Sequence, residues 1–346
     1  MARFLRSYPA TLRAADPRMT DPSSPNTDEP PEPNANPERV SPLRRAMKLA
    51  STVLVIGLFA WVIRSIVRDA AELDWSNLVR SPLSLVGAIG LWSLAFGFRA
   101  WLWGEMMRRI GYSIGHFEGA RVFFASHLGR FLPGKVWSVA GAGLFGKRYG
   151  LPARQSAVAM MVFLIIYYMV GSLFTLLVVW QLSATHVWVS VGIAVAGLGL
   201  LVFLATPLFP GLLRWLGARF GRDMSGLQLP SAGMLVVITV GLAAVWVTAG
   251  SAYVLLSRAV VPPEAGQIGF IAGWGIYASA LVAGFAALFA PAGLGVREAV
   301  MLALLEPSVG AAFGGVVTLA ARVVITSLEL TFSLWGAWPA LVERRK

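Results

Sequence analysis

The chain has 346 residues, of which 57% are hydrophobic and 13% charged, and its mean hydropathy is +0.68. A soluble domain is roughly a quarter charged, so the composition argues against a soluble globular enzyme. Cysteine is absent and only His116, His127 and His186 are present, which excludes disulfides, thiolate metal sites and a cysteine nucleophile and leaves no expected metal or other cofactor. The formal charge of +12 sits between apolar blocks, so the expected partners are anionic lipid head groups, not nucleic acid.

Residues 1–44 read as a disordered cytoplasmic tail. Nine of the 20 prolines lie between positions 9 and 42, among Ser, Asn, Asp and Glu, a composition that cannot bury a core. No apolar core precedes residue 49, so this is not a signal peptide. From residue 45 onward a single transmembrane domain is expected, with halves of about 45–207 and 208–346.

Uncharged runs set the spans. Residues 155–213, 224–257 and 265–296 contain no Asp, Glu, Lys or Arg, and one helical crossing needs about 20 apolar residues. About eight transmembrane helices are expected, at 47–67, 82–103, 156–181, 187–207, 232–256, 266–288, 308–325 and 326–342. The apolar runs are continuous and lack period-two alternation, which excludes a barrel. The fold class is therefore an all-α polytopic membrane protein.

Lys and Arg set the orientation. Arg39, Arg44, Arg45 and Lys48 precede the first span, and Arg344, Arg345 and Lys346 end the chain. Both termini are expected in the cytoplasm, with the chain in the cytoplasmic (inner) membrane. Arg108, Arg109, Lys147, Arg148 and Arg154 place a second loop inside, and Arg214, Arg219 and Arg222 a third. The segment 258–264 carries little charge and is expected outside.

Two hydrophobic stretches do not fit plain spans. Around Pro133-Gly134, the apolar arms from Arg121 to Gly146 are too short to cross, and the Pro-Gly step breaks the helix between them. With basic residues on both flanks, a re-entrant hairpin is expected. The second stretch runs from Ala283 to Ala299, with its break at Pro291, Gly293 and Gly295. Broken backbone at membrane depth is tolerated where it is buried in protein or lines a wet cavity. Paired breaks in two halves point to a transporter's central site. The spacing of Pro133 and Pro291 suggests an inverted repeat. The glycines of the second break lack a preceding strand and the full dinucleotide-loop spacing, so a Rossmann or P-loop reading fails.

Arg130-Phe-Leu-Pro-Gly-Lys-Val-Trp-Ser138 and Pro291-Ala-Gly-Leu-Gly-Val-Arg-Glu-Ala299 resemble the transmembrane-region family of lysylphosphatidylglycerol synthases. That family includes the flippase half of the multiple-peptide-resistance factor and stand-alone relatives. The resemblance covers about residues 45–342. Where the family usually reads Pro-Gly-Gly, this chain has Ala292. The resemblance implies a lipid translocator with re-entrant helices. Because the chain stops at Lys346, lipid transport is expected without the aminoacyl-transferase domain. Stand-alone members are linked to polyprenyl-phosphate sugars or envelope glycolipids, which implies envelope glycosyltransferases as partners.

Ionisable residues within the membrane are costly and point to function. Arg130 and Lys135 flank the first break and Arg297 follows the second; with Arg121 and Arg322 they are the candidate lipid-phosphate ligands, since a guanidinium fork holds two phosphate oxygens. Trp137 and Ser138 are candidate head-group contacts. Glu298 and Glu329 are candidates for proton coupling or charge pairing, with Glu298 expected to hold Arg130 or Lys135. Arg99, close to the end of a span drawn to residue 103, is expected to snorkel to the head groups. His127 reads as a buried, hydrogen-bonded core histidine, and Tyr167 and Tyr168 as packing residues or interfacial anchors.

The expected function is the flipping of an anionic lipid or a polyprenyl-phosphate-linked sugar, not catalysis. An integral membrane enzyme acting on a lipid phosphate, a glycosyltransferase or phosphatase, is the alternative. It would need a catalytic carboxylate at the membrane surface, and the nearest paired acids are Glu72-Leu73-Asp74 on the expected outer side. A scaffold or neutral-solute permease fits the basic bias less well.

Overall fold

A computed structural model describes residues 79–131, 136–181, 208–219, 226–287, 293 and 295–342, with Arg64 and scattered positions between 188 and 206. The tail, the expected span 47–67, most of the span 187–207, and Pro133, Gly134, Lys135 and Pro291 lie outside the described residues.

Every described element is a helix. Helix α1 (Pro82–Arg109) opens with Ser81, whose hydroxyl accepts the Ser84 N–H at 3.3 Å, and with Pro82 in its first turn. Both are favourable starts, a cap for an orphan donor and a residue whose missing N–H costs nothing there. Helix α2 (His116–His127) begins at Gly115, and Glu118 accepts the Gly115 N–H at 3.0 Å. A 3₁₀ turn, Leu128–Phe131, leads towards α3 (Trp137–Gly146). Helix α4 (Ala153–Phe174) tightens to a 3₁₀ helix through Gln181. Helix α5 (Leu208–Arg219) is followed by α6 (Ala232–Val260), capped by the Ser231 hydroxyl on the Met234 N–H at 3.3 Å. Helix α7 (Phe270–Ala286) and α8 (Val296–Val342) complete the chain, and α8 is interrupted at Gly310, where φ is 77° and ψ 160°. A left-handed φ of this kind is a glycine conformation.

Four of these helices are long and apolar enough to cross a membrane: α1, α4 with its extension, α6 and α8. From residue 311 onward the two spans expected at 308–325 and 326–342 are one helix. Residues 311–342 extend about 48 Å at 1.5 Å per residue, and nothing in the sequence between positions 325 and 326 breaks the helix. The outer surface carries large apolar side chains, among them Leu83, Val86, Val236 and Val240, whereas Arg99, Arg297 and Glu329 are buried. An apolar exterior around buried charge is the arrangement expected of a multi-pass membrane protein.

The order of elements repeats. A long helix, a short helix, a break, a short helix and a long helix occur as α1, α2, α3, α4 and again as α6, α7 and the two arms of α8. Cross-contacts repeat with it: α2 packs on α8 as α7 packs on α4, and α1 packs on α6. Helices α1 and α6 run antiparallel. The Arg80 N–H at the head of α1 donates to Ala259 O at the foot of α6 at 2.8 Å. Beyond the other end of α1, a Cβ on Gly111 would lie 3.0 Å from Gln228 Oε1, ahead of α6.

These end contacts also fix both broken segments. The α2–α3 hairpin starts and finishes near Gln228, whose backbone pairs with the Gln155 side chain at 2.6 and 3.0 Å. The α7–α8 segment starts and finishes at the opposite end, where Gly266 abuts Ser308. Close backbone approach holds the first hairpin together: a Cβ at Gly129 would meet the Trp137 carbonyl carbon at 2.5 Å, and one at Gly141 the Ser126 Cα at 3.0 Å. Glycine at both positions lets the arms pack without a side chain between them.

Candidate functional site

Described residues on either side of the two breaks line one cavity of about 40 Å³. Arg99 reaches it from α1, His127 from α2, Arg130 from the 3₁₀ turn and Ser138 from α3. Tyr167 and Tyr168 enter from α4, Gly284 and Phe285 from α7, and Arg297 from the start of α8. The volume is room for roughly two or three waters.

Three guanidiniums define its chemistry. Arg99 is 7% exposed and its guanidinium carbon lies 4.9 Å from the Tyr167 ring, 5.3 Å from Phe96 and 5.5 Å from Phe123. Ring faces offset part of the cost of burying a cation and the Tyr167 hydroxyl accepts a hydrogen bond from the guanidinium, but Arg99 Nε has no partner in the structure. The expectation that Arg99 snorkels outwards is therefore corrected. Helix α1 continues to Arg109, which leaves Arg99 about 15 Å of helix from that end, beyond the reach of its side chain.

Arg130 Nη1 pairs with Glu329 Oε1 of α8 at 2.5 Å. The partner of Arg130 is thus Glu329 and not Glu298. Glu298 accepts the Gly295 N–H at 2.7 Å and caps the start of α8, as Glu118 does at α2. Arg297 is 9% exposed and its Nε has no partner. Its stem lies over Gly284, where a Cβ would sit 3.0 Å from Arg297 Cδ. Gly293, with φ 76°, packs on the same glycine, and Gly295 has φ 82°. Glycines on both sides of the second break let the Arg297 stem lie against backbone.

His127 is 7% exposed and its Nδ1 lies 2.7 Å from Phe123 O. A carbonyl only accepts, so Nδ1 carries the proton and a neutral ring presents an unprotonated Nε2. Tyr167 stacks on Trp246 at 4.6 Å and Tyr168 on Phe285 at 3.7 Å, so both tyrosines pack and also line the cavity.

The remaining predicted residues divide. Ser138 is 6% exposed and lines the cavity, while its neighbour Trp137 is 46% exposed. Arg121 stands away from the cavity, 5.4 Å from the Trp335 ring. Arg322 is half-buried on α8, two turns before Glu329, and does not line the cavity. Among the described residues, no group of three or more His, Asp and Glu is placed to hold a metal.

None of the curated proteins matches the chain. The sequence profile of the lysylphosphatidylglycerol synthase TM region matches residues 48–331, most of the chain and both broken segments. The chain belongs to that family of lipid-associated membrane domains.

Proposed function

We propose that the protein translocates an anionic lipid, its phosphate passing through the cavity between the two broken segments. The observation that carries this reading is the cluster of Arg99, Arg130 and Arg297 around one buried cavity. Isolated charge inside a membrane is costly, and three guanidiniums converging on one space point to an anion that offsets them. Guanidinium forks suit phosphate oxygens. Lys135, next to Pro133-Gly134 in the sequence, is proposed for the same role.

The antiparallel relation of α1 and α6 supports an inverted repeat, in which the α2–α3 hairpin and the α7–α8 segment enter from opposite faces of the membrane. The segments are then re-entrant, and the cavity lies near mid-depth. We place the protein in the cytoplasmic membrane with both termini inside. The acyl or prenyl chain stays in lipid while the head group crosses, and anionic lipids, polyprenyl-phosphate-linked sugars among them, are the candidate cargo. Glu329, paired with Arg130, is the candidate for coupling to protons.

The test is reconstitution in liposomes carrying fluorescent anionic lipids, namely phosphatidate, phosphatidylglycerol and a polyprenyl-phosphate sugar. Access of a membrane-impermeant quencher to the inner-leaflet pool is followed with time. At least one lipid is expected to exchange well above the rate of empty liposomes. Exchange at the empty-liposome rate across the panel, with chemical conversion of a lipid phosphate instead, would favour an enzyme.

A further inference from the structure

Two of the three cavity arginines differ from the third. Arg99 and Arg297 are more than nine-tenths buried and each has an unpartnered Nε. Arg130 is engaged by a carboxylate that lies 199 residues away in sequence, on the long helix of the other half. Glu329 is itself 9% exposed, so its charge is matched by Arg130 and not by solvent. A carboxylate and a phosphate present the same geometry to a guanidinium, two oxygens in one plane of the fork.

We propose that Glu329 is a displaceable stand-in for the cargo phosphate, holding Arg130 until a phosphomonoester seated on Arg99 and Arg297 takes its place. This rests on the lipid-phosphate reading above and adds to it the class of phosphate and the step that releases it. Three guanidiniums against one carboxylate leave the described cavity with two positive charges. A phosphomonoester carries about −1.5 to −2 at neutral pH, whereas a diester carries a single charge and an aminoacyl head group adds positive charge. Among lipids of this kind a bare polyprenyl phosphate is a monoester, whereas a polyprenyl-phosphate-linked sugar is a diester, so the charge balance favours the bare lipid phosphate. The Arg130–Glu329 pair ties the first hairpin's tip to α8. Transfer of Arg130 to the cargo unties the halves at the moment the cargo arrives.

The experiment uses the full chain in nanodiscs and two soluble probes, dihexanoyl phosphatidate (monoester) and dihexanoyl phosphatidylglycerol (diester). Binding is read by calorimetry and stability by thermal unfolding. The wild type is expected to bind the monoester more tightly than the diester. Glu329→Gln is expected to melt lower without probe yet bind the monoester about tenfold more tightly, the worth of roughly one added charge-assisted contact. The double variant R130A/E329Q should lose that gain. If Glu329→Gln does not fold, Glu329→Asp, which keeps the charge but shortens the reach, should show a smaller gain of the same sign. Wild-type binding with weaker or unchanged affinity in the Glu329 variants would overturn the stand-in and leave the lipid-phosphate reading in place. No binding of either probe by the wild type, together with no lipid exchange in liposomes, would remove that reading itself.

Discussion

Arg99 shows how far a single side chain can depart from its sequence context. Its neighbours in α1 are apolar, and three aromatic rings surround its guanidinium. Its Nε–H has no acceptor, although the Tyr167 side chain accepts a hydrogen bond from the guanidinium. A buried cation with a donor left over is poor for stability and good for binding an anion. Arg99→Met retains the bulk and removes the charge. The variant should be as stable as the wild type or more so, by up to about 4 kcal/mol, as when buried ionic groups are replaced by apolar ones. Lipid translocation should fall at least about tenfold, since a hydrogen bond to a charged group contributes about 1.5–3 kcal/mol. Denaturant unfolding beside a quenching assay checks both signs, and a destabilised but active variant would place Arg99 in the packing alone.

At the scale of elements, the two broken segments were legible because proline and glycine act locally. Pro133-Gly134 and the glycines at 293 and 295 interrupt apolar runs too short to cross, and such a pattern needs no knowledge of the fold. The spans at α1, α4 and α6 were legible by length and hydropathy, whereas the span expected at 266–288 is the 17-residue α7, shorter than the helices that can cross. What was hidden is non-local. The pairing of Arg130 with Glu329 joins residues 199 positions apart, and no periodicity encodes it. Arg99 was misplaced because its span was drawn to end at 103, whereas the helix turns through the charged Glu105-Arg108-Arg109 cluster, whose members pair with one another at 2.7 and 2.8 Å. The segment 308–342 was divided at its charges, although Glu329 is neutralised by a partner within the protein. The first hairpin also yields a prediction. A Cβ built on Gly141 would lie 3.0 Å from Ser126 Cα and 3.2 Å from Ser126 O, tighter than ordinary contact. Gly141→Ala should therefore destabilise the protein by about 1–3 kcal/mol, the usual cost of overpacking. Thermal unfolding checks this, and an unchanged melting temperature would contradict the packed hairpin.

For the whole molecule, the order of elements repeats and α1 and α6 run antiparallel, which puts the α2–α3 hairpin and the α7–α8 segment at opposite ends. This arrangement gives each broken segment its own end of the protein. The loop at Ser113, following α1, and the loop at Glu264, following α6, should therefore face opposite sides of the membrane. Single cysteines at these exposed positions, Ser113→Cys and Glu264→Cys, test this with an impermeant thiol reagent applied to whole cells. Position 264 should label from outside, and position 113 only after the cells are opened. Labelling of both from the same side would contradict the opposed segments.

The central claim is that buried arginines carry a lipid phosphate across the membrane. It is tested most directly by the exchange rate of a fluorescent phosphomonoester lipid in proteoliposomes holding the wild type or Arg297→Ala at matched protein content. Exchange is expected well above empty liposomes for the wild type, with a loss of about 10- to 100-fold in Arg297→Ala, as for one hydrogen bond to a charged group. Equal rates for the two proteins would contradict it.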